Sequence, residues 1–233
     1  MSVIQVFTRW PVFGQVKTRL AKDIGDLAAF GAYLQLLNHV LSQAAFINVR
    51  IEIWLAVDNR FNESSDDSLN YEDCLHQWQS LVDNLNVNEA AKKAHHNISN
   101  IFSNKKCQFY RQAEGDLGEK LTQAFQSGWT RHKNVLIIGG DSVSVNSLHL
   151  KEAFDALQNH EMVLIPAEDG GIVLIGASNN APINLNAISW GTDQVYKQLN
   201  VKNSSLKIYC LKTGWDVDRL NDWQRFLKIR EPL

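Results

Sequence analysis

Apolar residues in this chain fall into short runs, and the spacing inside each run sets the element it predicts. Val3-Ile4-Gln5-Val6-Phe7 reads as a short buried strand. A loop with Pro11 and Gly14 follows. A helical region comes next, at about 26–46, where Leu27, Phe30, Leu34, Leu37 and Leu41 recur at steps of three and four. Val49–Val57 predicts a second strand, rich in β-branched residues. From 59 to 105 Asn, Ser, Asp and Lys dominate, around an amphipathic piece of Leu75, Trp78, Leu81, Val82 and Leu85. This predicts a polar insertion with one or two helices, in which His95-His96 is solvated.

Regular patterning resumes with a strand at Cys107–Gln112, a turn at Gly115–Gly118 and a helix at Glu119–Thr130. Val135–Ile138 is apolar throughout, which predicts a central, parallel strand. Ser147–Gln158 reads as a helix with Ser147 as N-cap. Strands at Met162–Pro166 and Ile172–Gly176 flank a turn at Glu168–Gly171. A helix at Thr192–Leu199, a strand at Leu206–Leu211 and a helix at Arg219–Leu227 complete the pattern. Strands alternating with helices predict right-handed βαβ units. The expected class is α/β, a three-layer αβα sandwich with a mainly parallel mixed sheet. With no internal repeat and no dividing linker, one domain over 1–233 is expected, carrying the insertion at about 59–105.

Composition narrows the partners. The 233 residues carry a formal net charge of -2, with 45% hydrophobic and 21% charged residues. No basic block marks a nucleic-acid footprint, so any bound phosphate must be held by a few local cations, backbone N–H groups or a metal. Cys74, Cys107 and Cys210 are sparse and odd in number, which argues against a disulfide framework and fits a reducing cytoplasm. The start of the chain lacks the pattern of a signal peptide, and no apolar run is long enough to span a bilayer. Oligomeric state is not legible.

Four segments carry candidate chemistry. Arg9-Trp10-Pro11-Val12-Phe13-Gly14-Gln15-Val16-Lys17-Thr18-Arg19-Leu20 follows the first strand, at the carboxyl end where open α/β sheets bind ligands. Gly14 lets backbone approach a ligand, and Lys17, Thr18 and Arg19 offer two cations and a hydroxyl to a phosphate. The P-loop spacing is absent, and a solvated basic loop is the bland alternative. In Val135-Leu136-Ile137-Ile138-Gly139-Gly140-Asp141-Ser142 an apolar strand ends on an uncovered carboxylate, a donor that Mg²⁺ favours. Capping of the following turn is the alternative. In Trp215-Asp216-Val217-Asp218 the two carboxylates, two residues apart, can face one side and share a cation. Asp218 as a helix N-cap is the competing reading. Pro166-Ala167-Glu168-Asp169-Gly170-Gly171 permits a close backbone approach and also reads as a hairpin turn. Trp190 is either a stacking platform for a base or sugar or a core aromatic.

Taken in order, these segments resemble a known family. The set Arg-x-Pro-x-x-Gly-x-Val-Lys-Thr-Arg-Leu, Gly-Asp-Leu-Gly-Glu-x-Leu, Gly-x-Asp-Ser, Pro-Ala-Glu-Asp-Gly-Gly, Trp-x-Thr-Asp and Asp-Val-Asp is similar to the DUF2064 family, over nearly the whole chain except about 59–105. That family is similar to the nucleotide-diphospho-sugar transferase (GT-A) fold and to guanylyltransferases of the deazaflavin- and molybdenum-cofactor pathways. The resemblance implies that Arg9, Pro11, Gly14 and Thr18 help cradle a phosphate, with Lys17 and Arg19 as its cations. It implies that Asp141, Asp216 and Asp218 hold Mg²⁺ or Mn²⁺. Glu168, Asp169, Gly170, Gly171, Trp190 and Thr192 would contact the substrate. The sequence departs from the family pattern at Gly140 and Val143 (usually Thr and Pro), at Ile172 and Val173 (usually aromatic) and at Gly191 (usually Ser). The carboxylates and cations are kept while the walls that choose a substrate change.

The expected function is a metal-dependent nucleotidyltransferase acting on a nucleoside triphosphate and a small phosphorylated or carboxylated acceptor. The alternatives are a glycosyltransferase using a nucleotide-sugar, or a non-catalytic nucleotide-binding relative.

Overall fold

The computed structural model describes residues 1–56, 68–69, 71–105, 107–179 and 181–230. The strands are β1 (Ser2–Arg9), β2 (Arg50–Ala56), β3 (Ser68–Leu69), β4 (Gln108–Arg111), β5 (Asn134–Gly139), β6 (Met162–Pro166), β7 (Ile172–Ser178) and β8 (Ile208–Cys210). The helices are α1 (Thr18–Ile24), α2 (Asp26–Ala45), α3 (Tyr71–Asp83), α4 (Glu89–Lys105), α5 (Leu117–Trp129), α6 (Ser147–Ala156), α7 (Val195–Lys202) and α8 (Leu220–Arg230). Among the described residues the strands form one mixed sheet in the order β3-β4-β2-β1-β5-β7-β6-β8. Pairs β1–β2, β1–β5, β2–β4 and β6–β8 are parallel, and β3–β4, β5–β7 and β6–β7 antiparallel.

Alternation along the central strands divides the core in two. Ile4 and Val6 of β1, Ile51, Ile53 and Leu55 of β2, and Leu136 and Ile138 of β5 face one side, where α2, α4 and α6 pack. Val3, Trp54, Val135 and Ile137 face the other, where α5 and α7 pack. This is the three-layer α/β arrangement that the sequence pattern predicts. With both faces covered, β5 reads as an unbroken apolar run, and the apolar runs of β1 and β2 are interrupted at Gln5 and Glu52.

Several expectations are corrected in detail. Residues 18–24, read as loop, form α1, which is separated from α2 by Gly25 at φ 82°. β5 is central but parallel only to β1; its other neighbour, β7, runs antiparallel. The N-cap of α6 is Asn146, not Ser147: its side chain accepts from the His149 N–H at 3.0 Å in a capping box. The last two short elements shift by two to three residues, with α7 starting at Val195 and β8 at Ile208.

The insertion is more integral than its composition suggests. It forms two helices, α3 and α4, whose Trp78, Val82, Ala91, Ala94, Ile98 and Phe102 join the larger core. A Cβ at Gly31 of α2 would stand 3.3 Å from that of Ala91, so small residues bring α2 and α4 together. His95 is therefore buried rather than solvated, and burial holds its imidazole below the usual range. Val57 and residues 59–67 and 70 of the expected elements lie outside the described residues.

Candidate active site

β1 pairs on one side with β2, reached early in the chain, and on the other with β5, reached late. The chain leaves β1 toward β2 and leaves β5 toward β6, in opposite directions across the sheet, and the crevice beyond such a switch is where open α/β sheets bind ligands. Lys17 follows β1, and Asp141 follows β5. The Lys17 Nζ donates to the Asp141 carboxylate and, at 2.5 Å, to the Val217 carbonyl oxygen. The Val217 N–H in turn donates to the Asp141 carbonyl at 3.3 Å. One ammonium thus joins the basic loop, the Gly-Gly-Asp segment and the Asp-Val-Asp segment.

The local backbone explains how this is held. Lys17 has φ 49° and ψ 42°, a left-handed conformation that costs a non-glycine residue roughly 1–3 kcal/mol. Its neighbours Val16 and Leu20 are buried, and its carbonyl accepts the Ala21 N–H at 2.8 Å. The strain therefore sits where an ammonium must turn inward. A Cβ at Gly140 would lie 3.0 Å from Thr8 Oγ1 and 3.2 Å from Leu37 Cδ1, so glycine lets this loop pass beneath the end of β1. The Gly140 N–H donates to the Phe7 carbonyl at 2.8 Å.

The remaining carboxylates divide. Asp216 is partly buried, and its carboxyl is pushed up to about 7, first by burial and then by the charge of Asp141. Lys17 opposes that rise and Asp169 adds to it. Asp218 instead accepts from Arg19 at 2.5 Å in an exposed pair. Val217, fully buried, separates them.

Two cavities meet at Asp141. The larger, about 520 Å³, is lined by Thr8, Arg9, Lys17, Arg19, Gln112 and Asp218, among others. The smaller, about 130 Å³, has apolar walls from Leu121, Ile137 and Ile172, with Asp216 at its polar end. Phe7, Leu117 and Asp141 border both.

Of the other expected contacts, Thr18 lines the larger cavity, while Pro11 is buried and Gly14 sits exposed in a turn at φ 73°. Residues 167–171 form the tight connection between β6 and β7. Gly170, at φ 87°, passes so close to Asp193 that a Cβ would stand 2.2 Å from its carbonyl oxygen. Asp169 Oδ1 accepts the Gly171 N–H at 2.9 Å. Glu168 lies outside both cavities, gripped by Arg225 at 2.8 and 3.0 Å, and that guanidinium also stacks over Trp215. Trp190 packs against the core beside α5 and α7, and Thr192 donates to the Ser189 carbonyl at 2.7 Å; neither lines either of these two cavities.

Sequence reasoning missed Thr8, Tyr33 and Gln112. The Tyr33 hydroxyl donates to the Arg9 carbonyl at 2.7 Å and lies 3.1 Å from Thr8 Oγ1, so α2 latches the end of β1. Gln112 Nε2 donates to the carbonyls of Trp54 and Thr8, at 2.9 and 3.3 Å. The available signal was faint: a hydroxyl on the buried face of α2, and an amide just past β4.

The donor set bears on a metal. Among the described residues no group of three or more His, Cys, Asp or Glu is arranged to hold one. Two carboxylates do come together, Asp141 and Asp216, close enough for the first to hinder ionisation of the second. Two hard oxygen donors suit Mg²⁺ or Mn²⁺, which complete their shells with water and substrate phosphate.

Comparison with known proteins agrees with this frame. Residues 78–192 match the model of a family described as "Uncharacterized protein conserved in bacteria (DUF2064)". The matching family is DUF2064. The DUF2064 match takes in Asp141 and the Glu168–Gly171 turn, and it begins inside the insertion, at Trp78 of α3. No curated protein matches the chain. Among solved structures, the chain is similar to one from Desulfovibrio desulfuricans G20, provisionally named a nucleotide-diphospho-sugar transferase, at TM-score 0.73 and 22% identity, over 99% of this chain and 87% of that one. It is similar to 4-diphosphocytidyl-2C-methyl-D-erythritol synthase from Anaerococcus prevotii DSM 20548, at TM-score 0.52 and 8% identity, over 98% of each chain. It is also similar to Rv0371c of Mycobacterium tuberculosis H37Rv in complex with manganese, at TM-score 0.52 and 14% identity, over 97% of each chain. The fold is therefore that of nucleotide-diphospho-sugar transferases and nucleotidyltransferases. No helix among the described residues is long and apolar enough to cross a membrane.

Proposed function

We propose that the chain is a nucleotidyltransferase that joins a nucleoside monophosphate to a small acceptor and releases pyrophosphate. The observation that carries this reading is the Lys17 ammonium, held in a strained backbone between Asp141 and the Asp216–Asp218 segment, at the switch point of a transferase fold. The larger cavity, with Lys17, Arg19 and Arg9 on its wall, suits a triphosphate. An acceptor oxygen attacks the α-phosphorus, the bond to the β-phosphate breaks, and pyrophosphate leaves with that bond's electron pair. Lys17 exchanges Asp141 for a phosphate oxygen, and Arg19, in an exposed pair with Asp218, swings to the same phosphates. Such cations act by positioning the reactants and by neutralising charge that develops in the transition state.

Asp141 and Asp216 would hold Mg²⁺ or Mn²⁺. Such an ion supplies charge neutralisation across phosphate oxygens. Asp216 would then work as a carboxylate despite its burial, with Lys17 and the bound cation compensating its charge.

A second reading, glycosyl transfer from a nucleotide-sugar, uses the same phosphate contacts. The test is a panel of the four nucleoside triphosphates against UDP- and GDP-sugars, with Mn²⁺ and a set of small acceptors. Pyrophosphate release supports nucleotidyl transfer. Free nucleoside diphosphate supports the second reading, and neither product from any pair defeats both.

A further inference from the structure

The smaller cavity is unlike the site beside it. Its walls are Phe7 of β1, Leu117 and Leu121 of α5, Ile137 of β5, and Ile172 and Ile175 of β7, all apolar. Its polar groups, Asp141, Ser142 and Asp216, belong to the segments that carry the candidate chemistry. Leu117 is 40% exposed, and it borders both cavities together with Phe7 and Asp141. A leucine left half in solvent at the junction of two cavities is accounted for if it packs against bound molecules. A sugar placed here would bury hydroxyls against side chains that offer no hydrogen bond, which is costly.

We infer that this cavity receives the apolar body of the acceptor, and that the acceptor is a phosphomonoester of a compact, apolar alcohol. The inference rests on the nucleotidyltransferase reading and names the acceptor class for that site. The size sets the limit. The cavity is about 130 Å³, and an apolar cavity of about 150 Å³ holds benzene, so the body has about five or six carbons. Its phosphate lies at the Asp141 end, where the two cavities join and the Lys17 ammonium, rather than the carboxylates, offers it a partner. In the step, an anionic oxygen of this phosphomonoester attacks the α-phosphorus of the triphosphate and needs no base. The α–β bridge breaks, pyrophosphate departs, and the product is a nucleotide joined through a diphosphate to the apolar group. Ile172, partly exposed, is the wall residue through which the size of the pocket can be changed.

The test uses the full chain with 3-methylbutyl phosphate, phenyl phosphate, glycerol 3-phosphate and glucose 1-phosphate. Direct binding of each is measured by calorimetry without nucleotide, and transfer is measured with nucleoside triphosphate and Mn²⁺. The two apolar esters are expected to bind and react about 10- to 100-fold better than the polar ones, the range set by a few buried methylenes. Ile172→Phe, which fills the pocket from a partly exposed position, should remove that preference and leave triphosphate binding unchanged. Ile172→Ala should shift the preference toward phenyl phosphate. Equal or better use of glucose 1-phosphate, or an Ile172→Phe protein with unaltered selectivity, would overturn the assignment. If 3-methylbutyl phosphate binds in an Ile172-dependent way and no triphosphate binds at all, the pocket stands and the nucleotidyltransferase reading falls.

Discussion

Two clusters of charge lie at opposite ends of the same strands, and they are built on opposite principles. At the amino-terminal end Glu52 is completely buried. Its carboxylate accepts from Gln5 Nε2 at 2.9 Å, Trp54 Nε1 at 3.3 Å and Arg131 at 2.9 Å. Nearby His132 is held below its usual range by burial, so at neutral pH it adds no charge. At the carboxyl-terminal end Asp141 and Asp216 share a single ammonium and open onto two cavities. The first cluster has a donor for each glutamate oxygen and leaves no room for a ligand. The second is short of positive charge and has room. A charge that the fold itself satisfies serves stability, whereas an unsatisfied pair at a switch point is available to a ligand.

That contrast can be broken by substitution. Lys17→Ala should lower kcat/KM by about 100- to 1,000-fold, near 3–4 kcal/mol of transition-state stabilisation. Lys17→Gly should be as inactive yet more stable than Lys17→Ala, because glycine accepts the left-handed backbone at no steric cost. If both variants keep full activity, the cation has no role in transfer. Glu52→Ala leaves the buried Trp54 N–H and one Gln5 N–H without an acceptor, while partly exposed Arg131 can turn to water, and should cost about 1–3 kcal/mol. Urea unfolding measures it, and a loss near zero would mean the cluster is not structural.

Asp216 gives a pH-dependent test. Its carboxyl is raised from 3.8 to about 7, so between these values the folded protein holds a proton that the unfolded chain has shed. Stability without metal should therefore fall as pH rises from about 4 to about 7, and this part should level off above. Asp216→Asn should remove that component and be more stable than the parent at pH 8, with little difference near pH 4, in paired thermal melts. A smaller effect is expected at the rim. Glu168→Gln breaks an exposed pair with Arg225 and should cost under about 1 kcal/mol. A large loss of activity there would show that the rim belongs to the site.

The two clusters also differ in how far the sequence revealed them. Asp141, Lys17 and the Asp216/Asp218 pair were legible because each sits in a short polar break after an apolar run, where a strand ends. Glu52 was not, because a lone glutamate inside Arg50–Ala56 reads as an exposed edge position until Gln5 and Arg131 are brought to it by pairing across the sheet. The layered architecture was legible because short apolar runs alternate with stretches whose apolar residues recur at steps of three and four. The antiparallel side of β5 was not, because apolar runs carry no strand direction. Likewise the insertion looked polar because α3 and α4 bury one face only, and His95 falls on that face. The division of Asp216 from Asp218 depends on Val217, which the core claims beside Leu36 and Phe226.

What stands or falls with Asp141 is its proposed hold, together with Asp216, on a divalent cation that faces a bound triphosphate. Calorimetric titration of each nucleoside triphosphate, with and without Mn²⁺, into the parent protein and Asp141→Asn tests it most directly. At least one triphosphate should bind the parent only when Mn²⁺ is present, and Asp141→Asn should weaken this binding at least about tenfold, or 1.4 kcal/mol. Equal binding by the two proteins, or no binding of any triphosphate to the parent, would contradict it.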